Sequence, residues 1–144
     1  MAIDASLVLD SGQIVVADGN TDYIEVEGGQ LCWVHMQWGA MSGASTTMDA
    51  RVMVSPDEGT TYYMKAKFQQ VGPSDDSKDD RVPVYIPQPA TKGTKIRVRI
   101  NYDVTGTSPS YAVSWCHLEP MTSLGVPAID EQLATGAAAR IAAL

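Results

Sequence analysis

The stretch KIRVRINY, residues 95–102, alternates without a break: Ile96, Val98, Ile100 and Tyr102 fall on one side, Lys95, Arg97, Arg99 and Asn101 on the other. Successive side chains of a strand point to opposite faces, so a period of two makes one face core and gives the other to water or to a partner. The same period recurs along most of the chain in runs of strand length, parted by Gly, Pro, Asp, Asn and Ser. Strands are expected at 5–9, 13–17, 22–26, 31–38, 50–55, 60–69, 82–86, 95–102 and 110–118. That number fits two packed sheets. The fold class expected is therefore all-β, an antiparallel two-sheet sandwich of jelly-roll type over residues 1–125, with an extension of helical spacing over 126–144.

Turn chemistry predicts the pairing. In SYAVSWCH, Tyr111, Val113 and Trp115 share a face, and the turn-rich VTGTSPS precedes them, so 95–102 and 110–118 read as a hairpin with a long loop. A second hairpin is RVMVSPDEGTTYYMKAKF, in which Pro56-Asp57-Glu58-Gly59 supplies a fixed φ, an Asx side chain and a residue tolerant of positive φ. There Val52 and Val54 are expected to meet Tyr62, Met64, Ala66 and Phe68 in the core. LCWVHMQW is apolar on both faces, as in a central strand covered on both sides or a strand lying in a subunit contact, and GAMSGASTTMD after it reads as a long, small-residue loop. Pro83, Pro87 and Pro89 mark an edge strand or an extended crossover, because proline cannot donate to a ladder.

In IDEQLATGAAARIAAL, residues 129–144, Ile129, Leu133, Ala137, Ile141 and Leu144 recur at helical intervals and make one apolar stripe. Gly136 weakens such a helix by up to ~1 kcal/mol relative to alanine, so it needs a surface to lie on. It reads either as a lid on its own sandwich or as an arm reaching a neighbouring subunit.

The chain has 144 residues and a formal charge of -7. This balance argues against duplex DNA and anionic membranes as main partners, since both reward clustered Lys and Arg. The chain shows no leader and no apolar run long enough to span a bilayer, and is expected to be made in the cytoplasm without secretion. Cys32 and Cys116 read as buried thiols, with a single bridge left open.

Candidate sites are few. Asp75, Asp76, Asp79 and Asp80 cluster around Ser77 and Lys78, but lack the alternation, glycine and terminal glutamate of an EF-hand loop. They read as a solvated loop able to meet basic residues on a neighbour. The Lys95, Arg97, Arg99 row reads as a solvated face that guards a strand edge, or as a contact to an acidic surface. His35 and His117 lie inside strands without zinc-protease or nucleophile spacing, and read as structural. Trp33, Trp38, Trp115 and most tyrosines are assigned to the core, which leaves a glycan-binding platform as a minor alternative. No catalytic, cofactor or metal site is expected.

VSPDEGTTYYMKAKF and KIRVRINYDVTGTSPSYAVSW, with the acidic balance, resemble the jelly-roll capsid-stabilising (cement, or decoration) proteins of tailed bacteriophages. The resemblance covers about residues 20–118 and implies a non-enzymatic virion protein on the capsid surface. It would bind the major capsid protein and itself, as a homodimer or homotrimer, with no nucleic acid or membrane. Lys95, Arg97, Arg99, the aspartates of 75–80 and the stripe Ile129, Leu133, Ile141 and Leu144 are the expected contacts. A phage neck or tail structural protein is the near alternative, and a glycan-binding β-sandwich module the alternative of a different class.

Overall fold

The computed structural model describes residues 7–121. The predicted stripe at Ile129, Leu133, Ile141 and Leu144, and the 126–144 extension as a whole, lie outside the described residues. The order is β1 (Val8–Ser11), β2 (Ile14–Val15), β3 (Gly19–Asn20), β4 (Ile24–Val26), β5 (Gln30–Ser55), β6 (Tyr63–Lys67), β7 (Asp79–Ile86) and β8 (Ile96–Pro120).

Two strands are far longer than expected. A straight strand of 26 residues, the length of β5, would reach roughly 80 Å, about twice the diameter of a domain this size. Both long strands therefore bend. They pair antiparallel with each other from Cys32↔Pro120 to Ser55↔Arg97, as one continuous ribbon. At its middle, residues 42–47 lie opposite 105–110 and the register is irregular. Gly43, Ser45, Gly106 and Ser108 take positive φ there, at 134°, 54°, 94° and 52°. Small residues on both strands let the ribbon turn while it stays paired.

The bend lays one half of the ribbon over the other. Tyr102 pairs with Ala50 in the second half of β5, yet its ring lies 6.4 Å from that of Trp38 in the first half. The Tyr102 hydroxyl donates to Asp10 Oδ2 at 2.6 Å, across the same divide. Flanking strands follow the bent path: β1 to β4 run along the outer side of β8, while β7 and β6 run along the first and second halves of β5. The result is the two-sheet antiparallel sandwich expected from the sequence. One sheet runs β1–β8–β5–β7 and the other β4–β8–β5–β6. Met36 and Trp38 of the first and Val52, Val98 and Ile100 of the second share a single core.

The expected hairpin of 95–102 with 110–118 is corrected: both segments belong to β8, and both pair with β5. The loop expected at 39–49 is in the same way part of β5. Glycine, serine and threonine look like punctuation in either setting, so composition alone cannot separate a bend from a break. The 50–69 hairpin forms, with Gly59 at φ 92° and Ser55 Oγ accepting its N–H at 2.8 Å. Its faces differ from expectation. Val52 pairs with Ala66 and Met53 with Met64, so Lys65 is an extra residue that turns Met64 outward. Phe68 stays in the core. Pro83 sits on β7, which pairs with β5 at the sheet edge as expected. Cys32 and Cys116 are free and buried, and burial pushes both thiol pKa values up.

Gly106 tests the bend. A Cβ there would overlap the Ser45 carbonyl oxygen and lie 2.7 Å from Thr46 Cα, at a φ of 94° that side chains avoid. Gly106→Ala is expected to destabilise the fold by about 1–3 kcal/mol in chemical denaturation. A variant as stable as the parent would show that the ribbon is not tightly turned at this point.

Candidate aromatic face and histidine cluster

The outer face of the first sheet is built by a register shift. Gln37 pairs with Trp115 and Trp38 with Val113, leaving Ser114 as an extra residue on β8. One extra residue exchanges the two faces of everything that follows. Cys116 and Leu118 enter the core, while Trp115, His117 and Glu119 join Trp33, His35 and Gln37 of β5 on the outer side. From β7, whose Asp79, Arg81, Pro83 and Tyr85 lie opposite Gln37, His35, Trp33 and Leu31, charge and another ring are added.

The face is aromatic and polar in alternation. The Arg81 guanidinium lies 4.4 Å from the centre of the Trp33 ring, and its Nη1 is 3.9 Å from Glu119 Oε1. Trp115 meets the His35 ring edge-on at 4.8 Å and the His117 ring at 4.8 Å with a tilt of 33°. Tyr85 and Leu31 are exposed at the end nearest Trp33, with 54% and 43% of their surface in solvent. His35 Nε2 is bonded to Asp79 Oδ1, and His117 Nε2 is 2.8 Å from Glu119 Oε2. Trp33 and Trp115 are one strand and four residues apart, about 14 Å by strand geometry. An open depression of about 510 Å³ between Glu27 and Thr94 has Lys92 and Pro89 in its wall but no aromatic ring.

Other expected sites are engaged within the fold. On the second sheet Lys95 is 3.9 Å from Glu27, and Arg97 is 3.4 Å from Glu25 and stacks on Tyr23 at 4.2 Å. Arg99 lies 3.7 Å over the ring of Tyr62. The row is not a strand edge, because β8 is flanked by β4 and β5. Asp75 accepts the Gly72 N–H at 2.8 Å, Asp76 the Met41 N–H at 2.9 Å, and Asp80 the Gln69 and Arg81 N–H groups. These carboxylates hold a loop in shape. Asp79 alone of the four joins the outer face, through His35.

Two assignments are corrected. Trp33 and Trp115 are half-buried on the outer face, and only Trp38 of the three tryptophans is in the core. His35 and His117 are not isolated structural residues but cross-strand partners, with ring centres 5.6 Å apart. Reading each histidine singly concealed this. Pairing 31–38 with 110–118 would have brought them together.

No protein-family model matches the sequence, and no curated protein matches it significantly. Solved structures do align. The CBM22-2 xylan-binding domain of Paenibacillus barcinonensis Xyn10C aligns at a TM-score of 0.47 and 12% identity, over 78% of this chain and 89% of that one. The CBM22-1–GH10 modules of Clostridium thermocellum xylanase 10B, complexed with xylohexaose, align at 0.46 and 11%, over 76% and 21%. The insecticidal delta-endotoxin Cry8Ea1 of Bacillus thuringiensis aligns at 0.44 and 14%, over 76% and 19%. The capsid-stabilising reading is corrected on the geometry: the charges it relied on, Lys95, Arg97, Arg99 and the 75–80 aspartates, already pair within the chain.

Proposed function

We propose that this chain is a carbohydrate-binding β-sandwich module that takes a neutral oligosaccharide across the outer face of its first sheet. One observation carries the reading: Trp33, Trp115 and Tyr85 share that face with Arg81, Gln37, Asp79 and Glu119. Aromatic rings offer flat apolar surface to the C–H faces of pyranose rings, and the polar groups between them offer donors and acceptors to hydroxyls. The span from Trp33 to Trp115 fits a chain of a few sugar units better than a single one. A continuous sheet fixes both rings in advance, so little ordering is lost on binding. Arg81 is half exposed, lies over the Trp33 ring and makes a long contact to Glu119, so it borders the ring that would take a sugar and would swing aside to open its face. The role proposed is binding without catalysis.

The test is a glycan array covering plant, fungal, bacterial and animal oligosaccharides, with xylohexaose included, followed by calorimetry on any ligand found. Saturable one-to-one binding to at least one neutral oligosaccharide is expected. Failure to bind any member would overturn the reading.

A further inference from the structure

We propose that His35, His117 and Glu119 form a binding site for a divalent transition-metal ion of the zinc class. The chain has two histidines, and both are in this cluster, facing each other across neighbouring strands. Glu119 Oε2 lies 2.8 Å from His117 Nε2 and 3.9 Å from His35 Nδ1, and the three ligand atoms are all within 4.8 Å of one another. Zinc bonds of about 2.0–2.1 Å in a tetrahedral arrangement place neighbouring ligand atoms roughly 3.3 Å apart. The observed separations straddle that value, so small side-chain rotations close the site.

The hydrogen-bond network of the cluster is only partly closed, which leaves an ion a place in it. Asp79 accepts from His35 Nε2, which leaves Nδ1 of the neutral ring as a lone pair turned toward the Glu119 carboxylate. Two acceptors thus face each other, an arrangement that a cation resolves. A carboxylate behind the far nitrogen is also the usual outer partner of a metal-bound histidine, fixing its tautomer and orientation. His117 is 4% exposed, and its Nδ1 is buried without a hydrogen-bond partner. Its Nε2 donates to Glu119 Oε2 at 2.8 Å, and an ion bound there would replace that proton and take the Nε2 lone pair, the ring then carrying its proton on Nδ1. Asp79 and Glu119 bring two negative charges, and Arg81, 3.9 Å from Glu119 Oε1, brings one positive charge. Two imidazoles and a carboxylate select zinc-like ions over calcium or magnesium, which take oxygen ligands, and they leave a fourth position for water.

The test needs no knowledge of the oligosaccharide and stands apart from that reading. Tag-free, chelator-treated protein is titrated with zinc chloride by calorimetry, and with cobalt(II) by visible absorption. Expected are one-to-one binding, cobalt bands of tetrahedral intensity, and zinc-induced shifts of the imidazole NMR resonances of both histidines in the unmodified chain. Asp79→Asn is expected to weaken zinc about 10–100-fold, and His35→Ala and Glu119→Gln by more than that. Absence of zinc binding, or binding that leaves both histidine signals in place, would overturn the proposal. So would His35→Ala and Glu119→Gln variants that fold and bind zinc as well as the parent.

Discussion

Replacing Trp38 by alanine is expected to lower the stability of the fold by about 3–5 kcal/mol, the cost of emptying a large aromatic site in a packed core. Folded domains are stable by only ~5–15 kcal/mol in total, so the loss is a large share of the whole. Trp38 is 1% exposed and sits where the bent ribbon closes on itself, with its ring 6.4 Å from both Tyr102 and Tyr111. Those tyrosines lie on either side of the bend in β8, and Tyr111 also shares a 2.7 Å hydrogen bond with Thr46. The cavity left by alanine would therefore open where the two sheets are clamped, with little freedom to collapse. Trp38→Phe should cost well under half as much, because it keeps most of the ring and removes an indole N–H that is buried without a partner. Urea denaturation measures both. A loss below about 1 kcal/mol for Trp38→Ala would mean that the sheets do not depend on this contact.

Trp33→Ala is expected to do the opposite: to weaken oligosaccharide binding strongly while leaving the fold nearly as stable as before. The ring is half-buried on the outer face, beside Arg81 and away from the core. Central aromatic anchors of binding surfaces commonly cost about 2 kcal/mol or more when truncated, roughly a thirtyfold loss in affinity. Trp115→Ala should act in the same direction, and Trp33→Phe should recover part of the binding. Calorimetry against the best array ligand, with denaturation as the control, separates the two effects. Unchanged affinity in Trp33→Ala would remove this ring from the site.

Much of the fold was legible from alternation. The all-β class, the two sheets, the 50–69 hairpin and the edge strand with Pro83 follow from side-chain period, turn residues and the missing proline donor. The continuity of β5 and β8 did not, because the bend at 42–47 and 105–110 uses the residues that also end strands. The outer site was hidden by the same kind of local event. A single extra residue, Ser114, moves Trp115 from the core side to the outside and sets His117 beside His35. Strict alternation puts Trp115 with Tyr111 and Val113, and no propensity marks where a bulge falls. The charged row at Lys95, Arg97 and Arg99 was placed on the correct face, but its partners Glu27, Glu25, Tyr23 and Tyr62 come from other parts of the chain and could not be read from spacing.

The most direct test of the binding face uses the three tryptophans of the chain, each of which gives one indole N–H resonance by NMR. Titration with the oligosaccharide that binds best on the array is predicted to shift the resonances of Trp33 and Trp115 and to leave that of Trp38 in place. Saturable binding that moves neither Trp33 nor Trp115 would contradict the assignment of this face as the site.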